Sequence, residues 1–373
     1  MKELIQTHSN LLITVVGIGG CGCNTIDMLY ENNLSNCVNL IAVNTDLAAL
    51  NELKVENKIL IGEDLTKGYG AGSNPAIGLR AAEESESLLI DAIKGSDIVI
   101  ITAGFGGGTG TGASPLVARL ARDLNISCLA IVTLPFESEG NLRMDFALQG
   151  IADIKSPAHA YITLSNDLLL KGLGEEVGFF TAFLQSNEVL KNLLVSLVQM
   201  LTETGYVNVD KNDFSSILSY EGESILGVGK AESEDLAFEA LDQALNNPLV
   251  SLSNIESAKA IIFQVFCKSE PKLSTYNGLI ENIKDKISNK SVLIVPGFTL
   301  DVNLSSEIEI LLIASGIEPK AETKDIIENT DALHDEYTDE HTGFLDQNEM
   351  IDTDIPAITR KLMGRKSVGV SNI

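Results

Sequence analysis

The sequence predicts an α/β protein in which an open, doubly wound parallel sheet is joined by a long central helix to a smaller α/β domain. Three observations predict this fold. Short runs rich in Ile and Val alternate with helical patterns in the first half of the 373 residues, a long apolar helical pattern follows, and strand patterns then return. Alternation of strands and helices favours a parallel sheet with helices on both faces.

The strand runs of the first half are apolar at consecutive positions, which is typical of strands buried on both faces. They are LLITVVG, VNLIAVN, DIVIITAG, ISCLAIVTL and AYITLSN, and the helical patterns between them span Thr25 to Tyr30, Ala76 to Ile93, Gly112 to Leu124 and Glu139 to Ile154. Ligands of such sheets bind at the carboxyl ends of the strands, so we expect the functional residues there.

The stretch 176–203 is apolar nearly all round, which predicts a helix buried between two layers. Residues 204–317 contain three more strand patterns, SAKAIIFQVF, KSVLIVPGF and EIEILLIASGI. The predicted regions are an N-terminal extension 1–10, a first domain 11–175, the central helix 176–203, a second domain 204–317, a linker 318–351 and a terminal segment 352–373.

The linker is acidic, and its apolar residues are isolated. Such a stretch buries too little surface to offset its ordering entropy, so we expect disorder. The whole chain carries a formal net charge of −26, which repels nucleic acids and anionic lipids. No run approaches the roughly 20 apolar residues that span a bilayer, and five cysteines do not form a disulfide framework. We therefore expect a cytoplasmic protein without direct nucleic-acid binding or membrane insertion.

A glycine-rich turn follows the first predicted strand. The run Gly17-Ile18-Gly19-Gly20-Cys21-Gly22-Cys23-Asn24 leads into a helix, whose free amides can bind an anion. Dinucleotide-binding folds carry similar turns. They also place an acidic residue at the end of the second strand, where this sequence has Asn44-Thr45-Asp46, so the first turn leaves the ligand open.

A second glycine-rich turn decides in favour of a polyphosphate. The strand DIVIITA runs into Gly104-Phe105-Gly106-Gly107-Gly108-Thr109-Gly110-Thr111-Gly112 and then a helix. Two such turns at neighbouring strand ends would surround one polyphosphate with amide donors, and the threonines would add hydroxyl donors. Neither turn has the lysine of a P-loop.

The run Gly106–Gly112 resembles the signature of the tubulin/FtsZ family of GTPases, and the resemblance extends across residues 11–317. It implies a GTP/GDP site, with Mg²⁺ held through the nucleotide phosphates. The residues matching the family's nucleotide loops are Gly19, Gly20, Cys21, Gly22, Asn24, Asn44, Thr45, Asp46, Gly70, Ala71, Gly72, Asn74, Gly104, Gly106, Gly107, Gly108, Thr109, Gly110, Thr111, Pro135, Glu139, Arg143 and Asn166. Taken singly, Asn44, Asn74 and Asn166 have turn or cap roles as an equal alternative.

The resemblance also assigns base recognition to the long helix. Phe183 would stack on the purine, while Asn187 and Glu188 would face the Watson–Crick edge of guanine. FtsZ proteins usually have Asp where Glu188 stands, and Glu is one methylene longer. Core packing is the alternative role for Phe183.

A carboxylate loop follows the long helix. Asn208, Asp210 and Asp213 match the family loop N-x-D-x-x-D, which reaches the nucleotide of the next subunit in a filament. The resemblance implies that these residues act in catalysis, where a carboxylate orients the attacking water. The alternative is that Asp210 or Asp213 caps the next helix. Lys211 and Asn212 depart from the family pattern.

Cys21 and Cys23 occupy positions where the family has glycines. A C-x-C pair without a second pair or a nearby His is poor zinc spacing, so no metal bound by side chains is predicted. The two cysteines are interpreted as small side chains at positions with negative φ.

The terminal residues Asp354–Lys361 resemble the FtsZ C-terminal peptide, which docks on membrane-tethering division proteins such as FtsA. Ile358 and Thr359 stand where the family commonly has Phe and Leu. The resemblance to the family implies that the chain forms a homopolymer. The terminal peptide implies that this polymer is recruited to the division site at the inner face of the membrane.

The predicted function is a GTP-hydrolysing, filament-forming division protein. Three alternatives stay open from the sequence. They are an FtsZ-like filament protein with another role such as DNA segregation, an NAD(P)-dependent oxidoreductase, and a nucleotide-binding scaffold without turnover.

Overall fold

The first sheet of this computed structural model has six parallel strands: β1 (Ile13–Ile18), β2 (Asn39–Asn44), β3 (Asn57–Leu60), β4 (Ile98–Gly104), β5 (Ser127–Leu134) and β6 (Ala160–Ser165). Their order is β3-β2-β1-β4-β5-β6, which reverses direction between β1 and β4. The structure describes residues 11–168, 178–203, 205–220, 222–246, 255–289 and 291–317, without the side chains of residues 179 and 180. The predicted doubly wound parallel sheet is confirmed.

Helices connect these strands and cover both faces of the sheet. They are α1 (Gly19–Glu31), α2 (Leu47–Glu52), α3 (Glu63–Thr66), α4 (Pro75–Glu84), α5 (Glu86–Ile93), α6 (Thr109–Asp123) and α7 (Asn141–Lys155), with 3-10 turns at Leu34–Asn36 and Glu137–Glu139. Alternate residues of each strand enter different clusters, as Val15 and Val16 of β1 do. Both faces are therefore buried, as the apolar runs predicted.

Three of the helices predicted from the sequence differ from those in the structure. Helices α1 and α6 begin at Gly19 and Thr109, several residues earlier than predicted, because their first turns are built from the glycine runs. The helix predicted over 76–93 ends at Ser85 and restarts. The Ser85 hydroxyl accepts a hydrogen bond from the Gly62 N–H at 2.9 Å, which fixes the break.

The central helix, α8 (Phe179–Thr202), lies close to its predicted range of 176–203. Leu190, Leu194 and Leu197 are fully buried in a cluster that also contains residues of both sheets. The N-terminal part differs from the prediction because its outer face is solvent-exposed, as the 57% exposure of Leu184 shows. The helix is buried between layers only over its C-terminal part.

The second sheet has four strands, β7 (Glu223–Ala231), β8 (Ala260–Cys267), β9 (Leu293–Leu300) and β10 (Ile308–Ile317), in the order β7-β10-β8-β9. Strands β8 and β9 are parallel, and β10 is antiparallel to both of its neighbours. The helices of this part are α9 (Lys211–Leu218), α10 (Ala237–Leu245) and α11 (Leu273–Lys286), with 3-10 turns at Glu234–Leu236 and Ile255–Ser257.

Strand β7 was missed in the sequence because Gly227 and Gly229 interrupt its apolar pattern. A Cβ at these two positions would lie 1.9 Å and 1.8 Å from the carbonyl oxygens of Ala244 and Ala240. Helix α10 therefore lies directly on the backbone of β7, and glycine is required there.

The predicted extension 1–10, linker 318–351 and terminal segment 352–373 lie outside the described residues, and the domain boundaries stay predictions. Among the residues that the structure describes, no helix is long and apolar enough to cross a membrane.

Candidate nucleotide site and acidic loop

The two glycine turns touch each other at the carboxyl ends of β1 and β4. Gly19 has a φ of +73°, which favours glycine, and a Cβ there would lie 2.9 Å from the amide nitrogen of Gly110. Gly22 lies against β4, because a Cβ would lie 2.3 Å from the Thr102 carbonyl oxygen. Helices α1 and α6 therefore begin side by side where the strand order reverses, the usual ligand position of this fold.

Three glycines border open space in front of these helices. A Cβ at Gly20, Gly72 or Gly107 would meet no atom within 4 Å. The first amides of a helix have no intrahelical partner, and both α1 and α6 begin beside this open space. The cradle therefore fits a polyphosphate, which accepts hydrogen bonds from such amides and is favoured by the helix dipoles.

The other glycines of the cradle pack against protein. A Cβ at Gly108 would lie 2.8 Å from both the Cβ of Ala71 and the amide nitrogen of Asn74, so the 70–74 turn rests on the second glycine turn. Gly106, with a φ of +96°, would meet the Arg143 carbonyl oxygen at 2.8 Å. These contacts bring the N-terminal turns of α4, α6 and α7 together.

The threonine hydroxyls of the second turn bind protein groups. The buried hydroxyls of Thr45 and Thr109 lie 2.7 Å apart. The Thr111 hydroxyl accepts a hydrogen bond from the Gly106 N–H at 2.9 Å. They stabilise the turn, so a contact of Thr111 with a ligand would come from its backbone.

Three polar residues near this cradle act as turn or cap residues: Asn44 at the end of β2, and Asp46 and Asn74 at helix N-termini. The Asn44 side chain accepts a hydrogen bond from Thr45 N–H at 2.9 Å. Asp46 caps α2 through the Ala49 N–H, and Asn74 caps α4 through the Ala76 N–H, each at 3.0 Å. The turn or cap role offered as the alternative for Asn44 and Asn74 agrees with these bonds, the cap at Asp46 was not predicted, and ligand contacts of all three residues stay a prediction. Asn24 is exposed on α1, and Gly70 donates its N–H to the Thr45 carbonyl at 3.1 Å.

A hydrogen-bonded turn after β5 borders the predicted ribose side. The Glu139 carboxylate accepts the Phe136 N–H at 3.0 Å and pairs with Arg143, four residues later in the first turn of α7. The Asp167 carboxylate accepts the Glu137 N–H through both oxygens, at 3.1 and 3.0 Å. Pro135 and Phe136 are buried. The structure therefore brings Glu139, Arg143 and the end of β6 together.

Asn166 and Phe183 each contact a residue that was not among the predicted site residues. The Ser186 hydroxyl donates a hydrogen bond of 2.6 Å to the buried side-chain oxygen of Asn166. The rings of Phe136 and Phe183 meet edge to face, with centroids 4.8 Å apart. Ser186 follows Phe183 by three residues, so both contacts arise from one side of α8.

The two residues predicted to read the base lie in different surroundings. Asn187 is half-buried and lies one turn from Phe183 on the same side of α8. Glu188 is half-exposed and forms an ion pair with Lys191, whose side chain is only 14% exposed. The sequence did not identify Lys191 as a partner of Glu188.

The two cysteines of the first turn face different surroundings. The Cys21 sulfur lies 3.6 Å from the Thr133 hydroxyl, while Cys23 donates to the Val43 carbonyl at 3.4 Å. Burial raises the pKa of the Cys21 thiol, and it raises the pKa of Cys23 to about 12. Both thiols are protonated at neutral pH and contact different partners. No group of three or more His, Cys, Asp and Glu suited to a metal occurs among the described residues.

The acidic loop forms the N-terminal cap of α9. Asp210 accepts the Asp213 N–H at 2.8 Å, and Asp213 accepts the Asp210 N–H at 3.3 Å. The Asn208 side chain accepts the Gly205 N–H at 2.5 Å. The capping role, which was the alternative for Asp210 and Asp213, is therefore confirmed, and their catalytic role stays a prediction. Capping leaves the second carboxylate oxygens for other partners, and Asp210 is solvent-exposed.

Two anchors fix this loop in the fold. Its first part pairs with strand β9, since Val207 and Phe298 exchange backbone hydrogen bonds of 2.9 and 3.2 Å. Its last part is tied to the first sheet. The Lys211 ammonium lies 2.5 Å from the Asp97 carboxylate, and the hydroxyls of Ser215 and Ser127 lie 2.7 Å apart.

These anchors place the acidic loop at the edge opposite the glycine turns. Asp97 and Ser127 stand at the N-terminal ends of β4 and β5, whereas Gly104 ends β4 at the carboxyl edge. Six residue steps separate the ends of β4, or about 20 Å at roughly 3.3 Å per residue. The carboxylates of one chain therefore lie far from its own cradle.

Two protein-family models match most of the chain. The model for the Tubulin/FtsZ family, GTPase domain, matches residues 12–174, and the model for the FtsZ family, C-terminal domain, matches residues 222–318. This chain belongs to the tubulin/FtsZ family. It is a guanine-nucleotide-binding GTPase, which excludes the oxidoreductase alternative and the scaffold without turnover.

Individual relatives are similar along most of this FtsZ-family chain. A cell-division protein FtsZ from Buchnera aphidicola is 34% identical over 92% of this chain and 86% of its own length. One from Thermococcus kodakarensis is 38% identical over 85% and 83%. The solved structure of an empty FtsZ dimer from M. jannaschii has a TM-score of 0.77 at 34% identity, covering 83% of this chain and 93% of that one.

More distant structural neighbours share the fold alone. The protofilament structure of CetZ2 from Haloferax volcanii has a TM-score of 0.74 at 20% identity, covering 88% of this chain and 99% of that one. The higher identity to FtsZ proteins favours the cell-division GTPase over the alternative of a filament protein with another role.

Proposed function

We propose that GTP binds in the cradle between the two glycine turns and is hydrolysed with the acidic loop of a neighbouring copy. The chain would thus form head-to-tail filaments in which each interface completes one active site. The observation that carries this proposal is the placement of cradle and acidic loop at opposite edges of the first sheet.

The chemistry of the cradle supports a triphosphate ligand. Open space in front of Gly20, Gly72 and Gly107 is bordered by helix N-termini. When bound, Mg²⁺ would offset phosphate charge. Because the described residues of one chain contain no cluster of metal ligands, phosphate oxygens and water would be its main ligands.

The chemistry of the acidic loop supports a role in activating water. Ionised Asp210 or Asp213 would accept a hydrogen bond from the attacking water and orient it toward the γ-phosphate. Asn208 would complete the polar contacts. The capping bonds use one oxygen of each carboxylate, which fixes the side chains and leaves an acceptor available.

The remaining predicted contacts concern base and partners. Phe183 and Asn187 would contact guanine. The Glu188 carboxylate would accept hydrogen bonds from the N–H groups of guanine, which requires that its ion pair with Lys191 loosen. At the division site, Asp354–Lys361 would dock on a membrane-tethering protein similar to FtsA. If deleting 352–363 left adaptor binding and recruitment in cells unchanged, the docking proposal would be refuted.

The rate of phosphate release per molecule, measured over a wide range of protein concentration, tests the shared active site. We expect release with GTP and not with ATP, a rate per molecule that rises with concentration, and sedimentable polymer over the same range. A rate that is equal in dilute monomer and in polymer would refute the proposal.

A further inference from the structure

We propose that Lys211 is a positioning residue for hydrolysis, and that its ion pair with Asp97 orients the carboxylates offered to the neighbouring copy. The inference rests on the function proposed above and names a residue outside the family pattern. Lys211 stands between Asp210 and Asp213 and pairs with Asp97 at 2.5 Å.

The position of Lys211 in α9 carries the first step. Asp210 is the N-cap residue of this helix, and Lys211 is its first residue. An ion pair there restrains the turn that holds both carboxylates. Ser215, one turn later on the same side, forms the second bond to the first sheet. Lys211 thus restrains the first turn of α9, whereas the bond of Ser215 restrains the next turn.

The Asp97 side supplies a rigid attachment. Its second carboxylate oxygen accepts the Leu12 N–H at 2.9 Å, and its backbone N–H donates to the Leu12 carbonyl at 2.7 Å. Asp97 immediately precedes β4, whose residues from Ile98 to Ala103 are buried. The carboxylate is therefore fixed to the sheet core before Lys211 binds it.

Helix stability has other sources. Phe214, Ile217 and Leu218 are fully buried and hold α9 in the core. The side chains of Lys211 and Asp97 are 45% and 32% exposed, so their pair adds little to folding. An effect of Lys211 on turnover without an effect on melting temperature would thus reflect the orientation of the loop.

Removal of Lys211 and removal of the Asp97 charge should have different consequences for the loop. Without Lys211 the loop loses one restraint. Without the Asp97 charge, a free ammonium remains beside Asp210 and Asp213 and can pair with the carboxylates themselves. Asp97→Asn should therefore impair hydrolysis at least as much as Lys211→Met, and adding Lys211→Met to Asp97→Asn should not lower it further.

The test measures kcat and KM for GTP per sedimented protein, with melting temperature alongside. We expect Lys211→Met to lower kcat about two- to fivefold at unchanged KM, which is the range an exposed ion pair supports. Lys211→Arg should restore kcat because it keeps the charge. The control pair Lys286 and Asp242, which is similarly exposed and lies away from the loop, should show no kcat effect in Lys286→Met.

Asp213→Asn, measured in parallel, separates the two proposals. If Asp213→Asn is inactive while Lys211→Met has wild-type kcat, or loses kcat only together with melting temperature, the positioning role is refuted. If Asp213→Asn itself hydrolyses GTP at the wild-type rate, the proposed function is refuted.

Discussion

The two edges of the first sheet differ in how they are built. At the carboxyl edge, glycine backbone and helix termini surround open space, and the nearby ion pair of Glu139 with Arg143 joins residues only four positions apart. At the opposite edge, the side chains of Lys211 and Asp97 and of Ser215 and Ser127 join distant parts of the chain.

This difference fits a separate role for each edge, with nucleotide binding at one and contact with a neighbouring copy at the other. The cradle borders open space at the N-termini of two helices, so it suits a ligand that brings its own negative charge. The acidic loop has its carboxylates fixed by capping bonds, with Asp210 exposed and Asp213 half-buried, so it suits a surface that meets a ligand held by another molecule. Variants at each edge should therefore impair different steps.

The largest expected effect is on hydrolysis at the acidic edge. Asparagine keeps a capping oxygen and removes the charge, so Asp213→Asn should preserve α9 and GTP binding. Hydrolysis should fall roughly 10²- to 10⁴-fold, the usual contribution of a general base. Phosphate release and nucleotide binding should be compared with those of Asp91→Asn, which makes the same charge change on exposed α5. Full activity of Asp213→Asn would assign Asp213 to capping alone.

The second effect is on binding at the cradle. Gly107→Val should weaken GTP binding at least about tenfold, because the new side chain occupies the ligand space, yet change apo stability by less than about 0.5 kcal/mol. Gly227→Ala, which meets the Ala244 carbonyl, should instead cost about 1–3 kcal/mol of folding free energy. Calorimetric titration and thermal melts distinguish the two. Unchanged GTP affinity in Gly107→Val would place the ligand elsewhere.

A smaller effect on binding is expected at Ser186. Ser186→Ala leaves the buried oxygen of Asn166 without its donor, so GTP affinity should fall several-fold, or roughly 1 kcal/mol. Ser196→Ala removes a similar hydroxyl from the same helix, but its partner is Glu309 in the second sheet. That control should lower stability and spare GTP affinity. Equal affinity losses in both variants would point to a general effect on α8.

The smallest effect concerns pH and the N-terminal edge. Burial and then the charge of Arg122 lower the pKa of His159 below its ordinary value of 6.5, and its Nδ1 accepts the Cys128 N–H at 3.1 Å. The unfolded chain binds the proton more readily, so this stabilising contribution is complete above pH 6.5 and is lost as pH falls through the lower folded-state pKa. Melting temperature should fall on acidification, and less in His159→Gln. An identical decline in both proteins would exclude His159.

The fold was largely predictable because buried parallel strands have a strong signal, and each predicted run became a strand. The starts of α1 and α6 were not predictable. Gly19 and Thr109 have low helix propensity, and their helical conformation depends on contacts between the two glycine turns. Strand β7 was not predicted because Gly227 and Gly229 interrupt its apolar pattern. These positions are glycines because α10 packs directly against the strand backbone. Of the site, the two glycine turns and the cap at Asp210 were visible in sequence. Ser186, Lys191 and the pair of Lys211 with Asp97 were not, because they join side chains whose proximity only the fold establishes.

The most direct test uses the inactive Asp213→Asn protein as an activator. Wild-type protein is kept below the concentration at which it assembles, and excess Asp213→Asn with GTP is added. If each acidic loop acts on a neighbour's nucleotide, wild-type loops will hydrolyse GTP held by the variant, and phosphate release will rise well above the sum of the separate rates. Release equal to that sum, with mixed polymer visible by sedimentation, would show that each chain acts on its own nucleotide and would contradict the account.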